Sequence, residues 1–503
     1  MKAIKVGILV LALSLSFSLS VNAQTKGGGK EQPPQETPEQ KKDREQKQRI
    51  KAAVDTYNQG DIAGAKVSLE ELFKEIPENL DVQSWLGFIY LRTNEATKAV
   101  PLLEKVAKAR ADDLEAQVNL GNAYFLAGQD DKALTQFAAV SKLDAKMSEP
   151  YYNTGAIYLK KQDYPKAVAA FSKANELKPN DSYTLNNLGV AYEKGKNLTE
   201  AADCFKKASD LKPENAVFAR NAGLILLQVK RIDEAIPYLE KARKADGKDL
   251  SLAMSLAEAY SVSGRKGDAL AVYESVKDQK DADAQFWFNL GVLRGAKGDT
   301  DGAENAYRKA LEIDGSDIDT LNNLGLLLLR RGAFDEAKTT FEKLCGINPT
   351  SLEAKINLAA ATSKSGDRPG AIELWKEIVR KNSRRVDVRL NLADALWAQG
   401  DLDAAKYHYA EVLKVDPKNA GALNGIGVYH LLKSNLDQAG HYFRMSMQAD
   451  PKYVPSYVNL ALTLERSNKR SDAIKLLERA ATIDASNEDV QKNLQRMKAA
   501  GTG

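Results

Sequence analysis

The residues of this chain whose chemistry depends most on placement are few. Three histidines, His408, His430 and His441, could ligate a metal ion through imidazole nitrogen. A helical zinc pair needs the H-x-x-x-H spacing that puts two rings on one face a turn apart, and that spacing does not occur. Two cysteines, Cys204 and Cys345, stand 141 residues apart, and a bridge would require their Cα atoms to come within about 7 Å. Asn197-Leu198-Thr199 forms a glycosylation sequon, although Thr199 also suits a helix cap. No glycine-rich phosphate loop follows a strand-like segment. The expectation is a chain with no catalytic residues, no metal site and no cofactor.

The elements that must position any binding chemistry are helical. Hydrophobic residues make up 43% of the 503 and charged residues 28%, as expected of a water-exposed helical protein. Lys plus Arg number 72 against 68 Asp plus Glu, a net charge of +4. That balance argues against a nucleic-acid binder, which carries a basic stripe to neutralise phosphates.

Residues 1–23 read as a cleavable leader. Lys2 and Lys5 precede an apolar run from Val6 to Leu19, and Val21-Asn22-Ala23 offers small residues for cleavage before Gln24. The run is shorter than the roughly 20 residues a bilayer span needs, so the expectation is an exported chain, periplasmic or secreted, with no stable membrane insertion after signal cleavage. Residues 24–45, rich in Gly, Pro, Gln, Glu and Lys, bury too little apolar surface to order themselves and read as a disordered linker.

From residue 46 the sequence repeats every 34 residues. A small residue recurs at Ala53, Gly87, Gly121, Gly155, Gly189, Gly223, Ala257, Gly291, Gly325, Ala359, Ala393, Gly427 and Ala461. Alanine follows twelve positions later each time, from Ala65 to Ala473, and a bulky residue four places after that, such as Phe137, Phe341 or Trp375. Two antiparallel helices approach within 8–10 Å only where the contact residues are small, which this pattern provides. Gly128, Gly264, Gly298, Gly332, Gly366 and Gly400 suit a left-handed helix end, and residues such as Asp131, Asp301 and Asp403 suit helix caps. Cys204 and Cys345 then lie about four units apart, beyond bridging range.

This pattern resembles the tetratricopeptide repeat family, with small residues at position 8, Ala at 20, a bulky residue at 24 and Pro77, Pro179, Pro213, Pro349, Pro417 and Pro451 at 32. The resemblance implies an all-α fold: a right-handed α-solenoid superhelix of thirteen 34-residue helix-turn-helix repeats over 46–487. A C-terminal capping helix and tail would follow over 488–503, with Val490, Leu494 and Met497 on one face. In that frame the histidines fall at positions 23, 11 and 22, on different helical faces.

The resemblance also implies that position 6 of each first helix faces a concave groove. Nine of thirteen such positions are asparagine: Asn119, Asn153, Asn187, Asn221, Asn289, Asn323, Asn357, Asn391 and Asn459. This is similar to the asparagine ladder of the O-GlcNAc transferase repeat superhelix, without a catalytic domain. A carboxamide both donates and accepts, so it can hold a peptide backbone whatever its side chains; it can equally bond to the adjacent repeat. Trp85, at position 6, and Trp397, at position 12, are expected toward the groove, and Trp287 and Trp375, at positions 4 and 24, in the core. The two-carboxylate clamp known in this family lacks its position-6 arginine here. The functional expectation is a scaffold or adaptor for proteins or peptides, with no nucleic-acid partner; the alternative is an accessory subunit of a cell-envelope assembly or polysaccharide export machine.

Overall fold

Helix pairs recur every 34 residues along the described chain and stack on one another within each of its compact units. The computed structural model describes residues 37–499, and among these are 27 α-helices and no strand. They divide into two compact units, residues 1–276 and 277–503. The first holds the helices from Pro38–Asn58 to Lys266–Glu274, and the second those from Ala284–Lys297 to Glu488–Ala499. The expected leader at 1–23, residues 24–36 of the expected linker and the tail beyond 499 lie outside the described residues. No helix among the described residues is long and apolar enough to cross a membrane.

The expected linker extends to residue 45, but the chain turns helical at Pro38. Thr37 and Gln40 form a reciprocal capping box: the Gln40 N–H donates to Thr37 Oγ1 at 3.2 Å, and the Thr37 N–H donates to Gln40 Oε1 at 3.0 Å. Proline at the first helical position adds a preset φ. The polar composition that signals disorder is also compatible with a solvated helix once its end is capped.

Each pair closes on the small residues read from the sequence. All thirteen position-20 alanines, Ala65 to Ala473, are fully buried. The position-8 glycine lies directly under the bulky residue at 24. A Cβ on Gly325 would sit 2.5 Å from Phe341 Cζ, and one on Gly121 would sit 2.6 Å from Phe137 Cε1.

The turn between the paired helices is left-handed in every pair, including those without glycine. Asn94, Gln162, Lys196, Lys230, Ser434 and Asn468 adopt φ of 58° to 69° where Gly128 or Gly332 stands elsewhere. The cap of the second helix follows immediately, not three residues later as expected. Asp61, Asp299, Asp367 and Asp401 are the N-caps, and their carboxylates accept from the N–H three residues on at 2.8–3.1 Å. Asp131, Asp301 and Asp403 lie inside the first turn, where negative charge favours the helix dipole. Thr199 likewise sits in a first turn whose N-cap is Asn197.

In the first unit a tyrosine at position 11 staples three pairs to the pair before them. Tyr90, Tyr124 and Tyr260 donate to Glu70, Glu104 and Glu240 of the preceding pair at 3.0, 2.7 and 2.5 Å. One second helix is short: Lys266–Glu274 has 9 residues against 14 in the others. Just past its end the Ser275 hydroxyl donates to the Val272 carbonyl at 2.6 Å. At the C-terminus Val490 and Met497 are fully buried on the last pair and Leu494 packs beside them, the face expected of a capping helix.

Candidate functional site

Within each unit several successive first helices touch one another directly, as Leu80–Arg92 touches Leu114–Leu126 and Ile318–Arg331 touches Leu352–Lys364. In each unit the first helices form a wall, and the position-6 asparagines stand on it. Their accessibility differs between the units. In the first unit Asn119, Asn153, Asn187 and Asn221 are all buried, at 4%, 1%, 6% and 5% exposure. In the second, Asn289, Asn323, Asn357 and Asn459 are half-buried and Asn391 is exposed.

Five of the nine donate to the preceding pair. Asn221, Asn357 and Asn459 donate Nδ2–H to Oδ1 of Asn186, Asn322 and Asn424, each 35 residues earlier, at 3.0, 3.2 and 3.0 Å. Asn187 donates to the Tyr152 hydroxyl at 2.8 Å, and Asn153 to Asn122 Oδ1 at 2.8 Å. Asn122 in turn donates to Glu149 at 3.4 Å. Asn289 accepts from Gln285 of its own helix at 3.0 Å. The carboxamides of Asn323 and Asn391 make no hydrogen bond among the described residues.

The partner residues Asn186, Asn322 and Asn424, one place before position 6, fall outside the set expected from the family's groove position. The signal that points to them is the repeated string Leu-Asn-Asn-Leu-Gly at 185–189 and 321–325. Two adjacent carboxamides on a helix point about 100° apart, so one can accept from the next unit while the other donates to the previous one.

Two acids on first helices of the first unit are desolvated. Burial pushes the Glu115 carboxyl up to about 7, with the Asp113 charge adding to the shift. Its Oε1 is occluded and has no donor among the described residues. Glu149 is also raised by burial, against a smaller lowering by Asn122. The second unit instead lines its wall with half-buried or exposed apolar groups around open amides: Phe288, Leu326, Ile356 and Leu390 half-buried, Val292 40% exposed.

The tryptophans divide otherwise than expected. Trp375 is core at 2% exposure. Trp85, expected toward the groove, is buried at 9% against Tyr57 and Phe88, on a helix whose residues from Val82 to Leu91 are all buried. Trp287, expected in the core, is half-buried with the Lys309 ammonium 4.1 Å above its ring. Trp397 is half-buried on the same helix as Asn391.

The reactive side chains do not converge. His430 stacks on Tyr442 at 5.6 Å, His441 is exposed, and burial lowers His408, whose Nδ1 has no partner among the described residues. Among the described residues no group of three or more His, Cys, Asp or Glu is placed to hold a metal ion. Both cysteines are free, and burial raises their thiols, Cys204 to about 11, so neither is a thiolate at neutral pH.

Three models described as tetratricopeptide repeat match residues 275–415, 390–454 and 456–491, and the model of the cilia and flagella-associated protein 70 C-terminal domain matches 68–315. No curated protein matches the chain. Among solved structures, the Cut9–Hcn1 hetero-tetramer of the APC/C is similar at 13% identity, covering 88% of this chain and 95% of that one, with a TM-score of 0.36. Yeast Tom70 is similar at 15% identity over 92% and 96%, TM-score 0.36. YrrB, described as a TPR protein with an unusual peptide-binding site, is similar at 23% identity over 37% and 96%, TM-score 0.35. With these family matches laid on the paired helices described above, the chain carries tetratricopeptide repeats and folds as an all-α solenoid of them.

Proposed function

We propose that this chain is a non-catalytic scaffold or adaptor that binds extended peptide segments of partner proteins along the first-helix wall of its second unit, outside the cytoplasm. The observation that carries the reading is the open row in that unit. Asn323 and Asn391 hold unbonded carboxamides among half-buried Leu326, Ile356 and Leu390. An extended peptide exposes N–H and C=O groups that carboxamides satisfy, and its side chains supply apolar contact. The export component rests on the leader-like sequence of residues 1–23.

A photo-crosslinking residue at position 323 or 391, compared with one at exposed Thr339 on a second helix, tests the binding wall. Crosslinks to partner proteins are expected from 323 and 391 and not from 339. Equal crosslinking from all three positions would sink the proposal. Fractionation of the native host tests export: recovery of uncleaved chain in the cytoplasm contradicts it.

A further inference from the structure

The open face of the helix Val386–Gln399 has a carboxylate at its centre. Asp394 is exposed, and one turn to either side stand Asn391, also exposed, and Trp397, half-buried. Successive members of an i, i+3, i+6 series run along one side of a helix with Cβ atoms about 5–6 Å apart. The Tyr409 hydroxyl donates to Asp394 Oδ1 at 2.6 Å. The tyrosine comes from the second helix of the pair, and it reaches the wall because position 6 of the next unit is Gly425 instead of asparagine. A Cβ at 425 would lie 2.6 Å from Tyr409 Cε2 and Cζ. Loss of one ladder amide thus makes room for a hydroxyl that orients a carboxylate.

Asp394 has no ion-pair partner among the described residues. Asp387 on the same helix, by contrast, is paired with Arg385 at 2.7 Å. Partial desolvation beside the Tyr409 ring raises the Asp394 carboxyl and the Tyr409 bond lowers it, with no cation of the described chain contributing. A fixed carboxylate without a countercharge, flanked by an indole and a carboxamide, matches a basic side chain. The charge meets the carboxylate, the flat guanidinium lies on the indole, and the remaining N–H groups find the amide oxygen. We infer that the Asn391–Asp394–Trp397 turn is a subsite for an arginine or lysine side chain of a peptide lying on the first-helix wall. The subsite rests on the proposed peptide-binding function.

The test uses the full chain labelled with 5-fluorotryptophan, the Trp397 signal being assigned from Trp397→Phe. The probes are two blocked nonapeptides identical except for a central Arg or Gln. The Arg peptide is expected to shift the Trp397 signal and to bind about tenfold tighter than the Gln peptide. Asp394→Asn is expected to erase that difference while keeping the melting temperature, because its Oδ1 still accepts from Tyr409. Equal affinity of the two peptides, an undiminished preference in Asp394→Asn, or no shift with Arg peptide up to about 10 mM overturns the inference. If both peptides bind equally and crosslink at position 323, the wall still binds peptide and only the basic subsite is removed.

Discussion

Asn459 donates its side-chain N–H to Oδ1 of Asn424, one pair earlier, at 3.0 Å. The same bond joins Asn221 to Asn186 and Asn357 to Asn322. Five of the nine ladder amides therefore hold pair to pair, and those of Asn323 and Asn391 make no hydrogen bond among the described residues. Asn221→Ala would leave the buried Asn186 oxygen without its donor, at a cost of about 1–3 kcal/mol. Asn391→Ala removes an exposed side chain with no internal bond, so stability should stay within about 0.5 kcal/mol while peptide binding falls. Urea denaturation and a peptide-binding assay on the two variants separate these outcomes; a large stability loss in Asn391→Ala alone would reverse the assignment.

Gly325 is among the tightest approaches within a pair. A methyl group there would lie 2.5 Å from the Phe341 ring, which is fully buried and cannot yield. Gly325→Ala gains about 1 kcal/mol of helix propensity. Overpacking of this kind costs about 1–3 kcal/mol. The net expectation is a lower melting temperature, and a rise in calorimetry would show that the pair can open to accept the methyl.

The helix pairing is legible in the spacing of small and bulky residues, because close packing leaves its mark on residue size. Gly325 against Phe341 and the buried Ala337 follow from it directly. The ladder's positions are equally legible, but its bonds are not. Whether Asn187 meets Tyr152 or a ligand depends on the neighbouring side chains: in the first unit the Tyr152 hydroxyl reaches Asn187, which is buried. The second unit has exposed Gln285, Asp319 and Asp387 near the same wall. The caps fall two residues from their expected places because Asp299 and Asp301 are both acceptable at a helix start. Only the left-handed Gly298 just before Asp299 fixes which one caps.

Lys196 holds φ at 69° in a turn where seven other pairs use glycine. A left-handed non-glycine residue costs about 1–2 kcal/mol. Glycine recovers that but adds unfolded-state entropy worth about 0.4–1 kcal/mol. Lys196→Gly should therefore stabilise the chain by about 0.5–1 kcal/mol. The side chain is exposed, so no contact opposes the gain. Thermal denaturation measures it, and a destabilised variant would mean that the lysine stem packs on the turn.

Glu115 links stability to pH. Its folded carboxyl titrates at about 7, above the ordinary value, because burial disfavours the charge and Asp113 adds repulsion. A raised folded pKa means that the native state binds more protons than the unfolded state between the two values. Stability should therefore decline from about pH 4.5 to 7 and level off above. Glu115→Gln should match the parent near pH 4 and exceed it at pH 8, by on the order of 1 kcal/mol after allowance for solvent screening. The N-terminal helix dipole favours the ionised form, which keeps the gain small. Urea midpoints at the two pH values decide the matter; equal midpoints at pH 8 would show that the carboxyl ionises freely.

Met497 closes the C-terminal end. It and Val490 are fully buried against Ala461, Ala473 and Leu477 of the last pair. Arg496 anchors the same helix to Glu465 through two bonds, at 2.9 and 2.7 Å. A repeat array gains stability from each interface, so uncovering the last pair is felt first by that pair and only weakly by distant ones. Met497→Ala creates a cavity at a site with solvent on its far side, at a cost of about 2–5 kcal/mol, toward the lower end if the helix settles inward. Hydrogen exchange should show faster opening of Val454–Arg466 and Arg470–Ile483, with the helices of the first unit unchanged. Acceleration spread evenly over both units would mean that the chain unfolds as one cooperative block, and the terminal helix would then be supporting the whole array instead of its last pair.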